Sequence, residues 1–321
     1  MTGPAPVTVV ICAYTLQRWT ELELALTTVL AGPGSVHTVL VCDHNDELYA
    51  QARRAWPTVT VVPNRGSRGL SGARNTALEL VTTELVVFLD DDACPADGWL
   101  DALLAPFADP EVVATGGVAR PVWPDGRRPA HLPEELWWVV GCSFAGQPDS
   151  GRVRNVMGCN MAFRTDSLRA VGGFSGDLGR VGRHPVGGEE TEACLRIGRR
   201  EPSRRIAFVA PAVVRHHVTR ERTSFAYLVR RSYGEGLSKA ALARMVTGAE
   251  ALSTEGHYVR RTVPRAVLRE LRHPLRGGAR AAGGLVTSVL AAGLGYLRGT
   301  VAGQVTPVAR EPRAPLEVRT A

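Results

Sequence analysis

The chain reads as an α/β protein built on a largely parallel, Rossmann-like sheet flanked by helices. Three observations carry that reading. Short, continuous apolar runs alternate with stretches whose apolar residues recur at helical spacing, the pattern of strand–helix–strand units. The runs are rich in β-branched residues, as strands buried on both faces are. Acidic residues close two of them, Asp43 after one and Asp90-Asp91-Asp92 after another, at the carboxyl ends where open parallel sheets collect ligands.

Taken in order, Val7–Ala13 is the first strand, with no glycine-rich stretch after it. Trp19–Ala31 repeats Leu22, Leu26, Val29 and Leu30 at helical spacing and stops at Gly32-Pro33-Gly34. Thr38–Cys42 is a second buried strand, Leu48–Trp56 a helix and Val59–Val62 a third strand. Ser71–Leu80 is a helix, and Leu85–Leu89 a fourth strand that runs into the three aspartates. The middle is less regular. Strands are expected at Val112–Gly117 and Ile206–Val209, helices at Ser167–Val171 and Glu190–Arg199, and a Pro/Gly-rich, tryptophan-bearing loop from Val122 to Pro148. From Ser224 onward the pattern is helical, and 304–321, rich in Pro, Arg and Glu, reads as a disordered tail. The implied division is a catalytic domain over 1–222, with halves near 1–115 and 116–222, then a helical extension over 223–303.

The 321 residues are 45% apolar and 21% charged, enough to bury a core without staples and too apolar for wholesale disorder. No run of 20 purely apolar residues suggests a polytopic membrane protein. The net charge of +7 is uneven: residues 1–215 carry 21 basic and 24 acidic residues, whereas 216–321 carry 17 basic and 7 acidic. A basic tail suits nucleic acid, anionic lipid or a solvated arginine-rich surface. Aromatic residues are sparse there, so no nucleic-acid partner is expected. The six cysteines lack metal-site spacing. The first residues lack a signal-peptide pattern, so the cytoplasm is the expected compartment.

Three consecutive aspartates repel one another unless a cation or helix N-terminus compensates them. Their oxygens suit Mg2+ or Mn2+ bridging to phosphate, or equally an acidic cap on free amides. The surroundings add weight. Val7–Tyr14 opens the chain, Asp43 follows the second strand, and Arg65-Gly66-Ser67-Arg68-Gly69-Leu70-Ser71-Gly72-Ala73-Arg74-Asn75 follows the third. Gly158-Cys159-Asn160-Met161-Ala162-Phe163-Arg164, Val171-Gly172-Gly173-Phe174, Gly187-Gly188-Glu189-Glu190-Thr191-Glu192-Ala193-Cys194-Leu195-Arg196 and Pro211–His217 come later. In this order and spacing the sequence resembles the family-2 glycosyltransferases of GT-A fold, over about residues 7–240, with features associated with actinobacterial-type members.

The resemblance implies an inverting, metal-dependent transfer of a sugar from a nucleotide-diphospho-sugar to an acceptor hydroxyl. The acceptor would be a carbohydrate, a lipid-linked glycoside or a small molecule. It implies that Ala13, Tyr14, Asp43, Arg74, Asn75, Asp90 and Asp91 border the nucleotide-sugar. Asp90, Asp92 and His216 would hold the cation, and His217 would pack or hydrogen-bond behind them. Glu190 aligns with the family's base, usually Asp, so here the arm is longer by one methylene; Glu189 is the alternative base. A carboxylate there fits equally a helix N-terminus, which favours negative charge. Trp137, Trp138 and Asn160 fall in the acceptor-side region, where tryptophan can stack on a sugar or fill a core.

A nucleotidyltransferase would need a glycine-rich basic loop near the first strand, and a dinucleotide-binding dehydrogenase would need G-x-G-x-x-G there; both are absent. An inactive carbohydrate-binding protein is the alternative of a different class, opposed by the intact Asp90, Asp92 and Glu190. Residues 281–297 are uncharged and flanked by Arg272, Arg276, Arg280 and Arg298. The stretch is short for a span and suits a peripheral helix on anionic lipid, through about 270–300, or a packing appendage.

Overall fold

A computed structural model describes residues 7–32, 36–148, 151–176, 187–245 and 253–301. The expected tail at 304–321, residues 1–6 and the turn residues Pro33 and Gly34 lie outside the described residues. The first half consists of β1 (Val7–Ala13), α1 (Trp19–Leu30), β2 (His37–Cys42), α2 (Asp46–Ala55), β3 (Thr60–Pro63), α3 (Leu70–Leu80) and β4 (Leu85–Asp90). Next come β5 (Ala93–Pro95), α4 (Trp99–Leu104), β6 (Val112–Val122), β7 (Gly151–Val153), β8 (Asn160–Arg164) and α5 (Thr165–Ala170). Then follow α6 (Glu189–Arg200), β9 (Arg205–His217), α7 (Phe225–Met245), α8 (Ser253–His257), α9 (Val263–Leu271) and α10 (Gly278–Val301).

The nine described strands form one sheet in the order β3-β2-β1-β4-β8-β6-β9-β5, with β7 also on β9. Successive side chains of a strand face opposite sides, and both sides are covered. Val9, Ile11, Val87 and Leu89 join the core against α1. Val10, Val86 and Phe88 join the core against α3 and α6. This is why the runs are continuously apolar.

The expectation of a mostly parallel sheet holds for the first half, where β1 pairs parallel with β2 and β4, and β2 with β3. Beyond it the sheet is mixed. β8 lies antiparallel between β4 and β6, and β5 and β7 run antiparallel to β9. These strands arrive through loops rather than crossover helices, and only a crossover enforces parallel pairing. β6 and β9 are longer than expected and pair through a register shift between Gly117 and Val118. The loop after β6 carries a 3-10 turn over Glu134–Val140.

Register brings the functional ends together: Cys12 of β1 lies opposite Asp90 of β4, and Ala13 opposite Cys42. α3 starts at Gly69, whose φ of +116° only glycine adopts easily. A Cβ on Gly72 would lie 1.9 Å from the Ser67 carbonyl oxygen, so the loop is wound tightly onto the helix.

The C-terminal helices pack through small residues. A Cβ on Gly236 of α7 would lie 2.0 Å from the Ala292 carbonyl oxygen, and one on Gly295 of α10 2.0 Å from that of Tyr233. Ser232 and Ser288 hydroxyls meet at 2.9 Å between them. Glycines that weaken a helix in water here let two helix backbones touch. α10 is long and apolar enough to cross a membrane by length and composition, but one face of it is packed on α7.

Candidate active site

The carboxyl end of β4 delivers Asp90 to the rim of a cavity of about 800 Å3. The chain turns at once into β5, whose pairing with β9 sets Ala93 opposite His216. The His217 amide donates to the Asp92 carbonyl at 2.8 Å. His216 Nε2 lies 3.2 Å from Asp92 Oδ1, and ligand atoms of Asp90, Asp92 and His216 lie within 4.8 Å of one another. Burial pushes the His216 imidazole pKa down despite Asp92, which favours the neutral, ligating form. Its buried Nδ1 has no hydrogen-bond partner among the described residues. Two carboxylates and a neutral imidazole fit Mn2+ or Mg2+.

Cationic side chains share this corner. Arg18, just past β1, donates from Nη1 to Asp91 Oδ1 at 2.8 Å and pairs with Asp92 Oδ2 at 2.9 Å. Arg222 lies 3.6 Å from Asp92 Oδ2. Burial, only partly offset by Arg18, pushes the Asp91 carboxyl up to about 7. Tyr14 is half exposed beneath the Arg18 guanidinium. Asp43 is already engaged: its Oδ1 accepts from Asn64 at 2.6 Å and lies 2.8 Å from His44 Nδ1, and its Oδ2 accepts from the Gly69 amide at 2.9 Å.

The buried Arg74 ties the two halves of the site together. It donates to Glu189 at 2.9 Å, to Asp90 at 3.3 Å and to the Gly158 carbonyl at 2.8 Å. The rings of Phe88 and Phe174 lie 5.9 and 5.3 Å from its guanidinium carbon. Glu189 is thereby taken up in an ion pair. Glu190, one residue further into α6, lines the cavity, accepts from Thr191 Oγ1 at 3.4 Å and from its own backbone amide, and pairs with no cation among the described residues. Burial and then the adjacent Glu189 push the Glu190 carboxyl up to about 7.

Other expected residues divide. Trp138 lines the cavity, with Nε1 donating to the Tyr258 hydroxyl at 3.2 Å. Trp137 packs edge-on to Trp123. Asn75 exchanges both amide bonds with the Phe174 backbone, at 2.8 and 2.9 Å. Asn160 accepts from Trp99 Nε1 at 2.8 Å and donates to the Val118 and Ala212 carbonyls at 3.1 and 2.9 Å, cross-linking the sheet. These two amides are spent on the protein's own frame. Arg18 and Arg222 went unmarked by sequence reading because they sit in no motif. The cavity-lining Arg154 and Glu255 sit in no motif either, whereas Arg231, Glu235 and Lys239 fall in the 227–240 stretch associated with actinobacterial-type members, which assigns them no role, and recur every four residues, a spacing that stacks them on one helix face. The helical extension is therefore a wall of the site.

The profile of Glycosyl transferase family 2 matches residues 8–172. The glucosyl-dolichyl phosphate glucuronosyltransferase of Haloferax volcanii is 33% identical over 242 residues, spanning 74% of this chain and 77% of that protein. The succinoglycan biosynthesis protein ExoM of Rhizobium meliloti is 27% identical over 241 residues, 72% of this chain and 73% of that one. Among solved structures, the mannosyltransferase PcManGT from Pyrobaculum calidifontis, in complex with GDP-Man and Mn2+, superposes with a TM-score of 0.61 at 22% identity, covering 90% of this chain and 87% of that one. With the GT-A fold, the matched profile and an Asp-Asp-His cluster at the end of β4, the chain belongs to the family-2 glycosyltransferases.

Proposed function

We propose that the protein is an inverting glycosyltransferase that moves a sugar from a nucleotide-diphospho-sugar to a hydroxyl of a lipid-phosphate-linked glycoside, with Glu190 as the base. One observation carries this reading: Glu190 is a carboxyl without an ion-pair partner among the described residues, held up to about 7, lining the same cavity as Asp90 and His216. A base tuned near neutrality can take a hydroxyl proton as the new bond forms. Glu189 is a poorer candidate, because Arg74 already holds it.

In a single displacement the acceptor oxygen attacks the anomeric carbon while the bond from that carbon to the diphosphate breaks. The hydroxyl proton goes to Glu190 and the electron pair leaves with the diphosphate. Asp90, Asp92 and His216 would hold a divalent cation, Mg2+ or Mn2+, which when bound offsets the negative charge on the departing diphosphate. Arg74 fixes Asp90 and Glu189 relative to each other. Ala13, Tyr14 and Asp43 border the nucleoside at the ends of β1 and β2, with Asp43 bracing the loop at 64–69.

The acceptor class follows the 33% identical relative, whose name gives it a dolichyl-phosphate-linked acceptor. The surface of the extension supports a site at the cytoplasmic face of a membrane. Leu275 is fully exposed, and Leu268, Leu290, Leu294 and Leu297 are each more than 60% exposed. Arg260, Arg261, Arg265, Arg272, Arg276, Arg280 and Arg298 are exposed around them, and Glu270 is the only acid in 256–301. Apolar side chains ringed by arginine suit an anionic lipid surface.

The test is a thermal-shift screen of UDP-, GDP- and dTDP-sugars with Mn2+ or Mg2+, since a true donor stabilises the fold by mass action. The matching donor is then used with Glu190→Gln. Retained donor binding with lost turnover is expected; unchanged turnover refutes the assignment.

A further inference from the structure

The cavity has two electrically different walls. One carries Asp90, Glu189 and Glu190 against Arg74. The other comes from α7, α8 and β7's trailing loop, and there the charges form a chain. Arg154 donates to both oxygens of Glu255 at 3.0 and 2.9 Å, and Lys239 lies 2.6 Å from Glu255 and 3.4 Å from Glu235. Arg231 Nη1 donates to Glu235 at 2.7 Å. Three cations thus share two carboxylates, and the chain ends in a guanidinium at both ends. Against the cost of burial, Arg231 and Lys239 hold the Glu235 carboxyl down to about 2, so its charge is present at neutral pH. The exposed Arg260 also lines the cavity. This wall therefore carries excess positive charge in a partly desolvated setting.

Arg231 is the focal group. Its side chain is only 12% exposed, its guanidinium lies over the Trp138 ring at 5.7 Å, and its buried Nε has no hydrogen-bond partner among the described residues. A buried donor left unpaired is costly, and an anion accepted at that edge would satisfy it with charge-assisted bonds. Apolar residues of α10 share the cavity with it. Val289 and Gly293 of α10 line the cavity, and Leu297, one turn on, is exposed on the outer face.

The geometry points to an anion subsite on this wall, centred on Arg231 with Arg260 at its rim, that takes the phosphate of the acceptor. It rests on the glycosyltransferase reading above and assigns the residues that recognise the acceptor's charge. The oxygen anion of a phosphate ester would sit against Arg231, and an attached apolar chain would leave along Val289, Gly293 and Leu297.

The test uses the full chain in EDTA, so that a cation-dependent donor site is not engaged. Calorimetric titrations compare farnesyl phosphate, farnesol and inorganic phosphate. Farnesyl phosphate is expected to bind at least tenfold more tightly than farnesol. Arg231→Gln should erase that preference, Arg231→Lys should keep part of it, and Arg260→Gln, at an exposed position that does not threaten folding, should weaken it severalfold. Inorganic phosphate matching farnesyl phosphate, with both lost in Arg231→Gln, supports the anion subsite and assigns it to a soluble phosphate-bearing acceptor. Equal binding of farnesol and farnesyl phosphate by the wild type overturns the proposal, as does an undiminished preference in both Arg260→Gln and Arg231→Lys. Donor binding with Mn2+, read by thermal shift on the same proteins, should survive Arg231→Gln. Its absence from the wild type would instead count against the glycosyltransferase reading.

Discussion

Glu190→Gln removes a proton acceptor while keeping nearly the same shape, so it separates chemistry from architecture. The carboxyl stands at about 7, raised from 4.5 by burial and Glu189; Arg74 pulls it down and Glu235 pushes it up. Only the ionised form can take a proton, so wild-type kcat should rise with pH through about 7 and level off above it. Loss of a general base costs about 10²–10⁴ in rate, or about 3–5 kcal/mol of barrier. The variant should lose that much at pH 8 and show no acidic limb near 7. Stability makes an independent check. The folded state binds this proton more tightly than the unfolded chain, so wild-type stability contributed by the group is full below 4.5 and falls as pH rises toward about 7. A glutamine is never charged. The variant should therefore gain stability relative to wild type at pH 8, by up to about 3 kcal/mol, and approach it at pH 4. A variant that turns over normally refutes the assignment, and so does a wild-type pH profile flat between 5.5 and 8.

Asp92→Asn should abolish Mn2+-dependent nucleotide binding in a thermal-shift assay while leaving a cooperative melt, since an amide can still meet Arg18. Arg74→Met should destabilise the protein by about 3–5 kcal/mol in urea unfolding, because it strands the buried Glu189 and removes the bond to Gly158. Gly295→Ala drives a methyl into the Tyr233 carbonyl oxygen and should cost at least about 1–3 kcal/mol as the helices part. Leu290→Glu with Leu294→Glu should release the protein from anionic vesicles in flotation while leaving its melting temperature unchanged, since both side chains are exposed; undiminished flotation would sink the membrane contact.

Much of the first half was legible because its strands are buried on both faces: Val86, Val87, Phe88 and Leu89 alternate between two cores, and each core demands an apolar residue. Neither β8 nor its direction was legible, because only three apolar residues stand between Asn160 and Arg164 and so short a segment looks the same whichever way it enters a sheet. The residue pattern of β9 breaks at Ala210, Pro211 and Ala212, where β6 and β9 slip in register, and its second part, Pro211–His217, was legible only through the family resemblance. In the site, Asp90, Asp92, His216 and Glu190 were legible as types at spacings. Which side chains remain available was not: Asn75 is bonded to backbone groups 99 residues away and Asn160 to backbone carbonyls 42 and 52 residues away, and only folding reveals those partners. Arg18 belongs to no motif and reaches the aspartates across 73 residues.

The charge asymmetry of the sequence acquires a meaning in the cavity. The acidic 1–215 segment supplies Asp90, Glu189 and Glu190, while the basic segment supplies Arg231, Lys239 and Arg260, and all six line one cavity. Such a field has a direction. A cation is favoured at the β4 end and an anion at the α7 end, with Glu190 between the two and sensing both, since Arg231 and Glu235 act on it from the basic side. Neutralising an anion site on Arg231 would remove a positive charge from Glu190's surroundings and raise its proton affinity further. A phosphate-bearing acceptor would thus strengthen the base that takes the proton of its own attacking hydroxyl. It follows that Arg231→Gln should shift the acidic limb of kcat upward even at saturating acceptor, whereas Arg231→Lys, which keeps the charge, should leave that limb near its wild-type position.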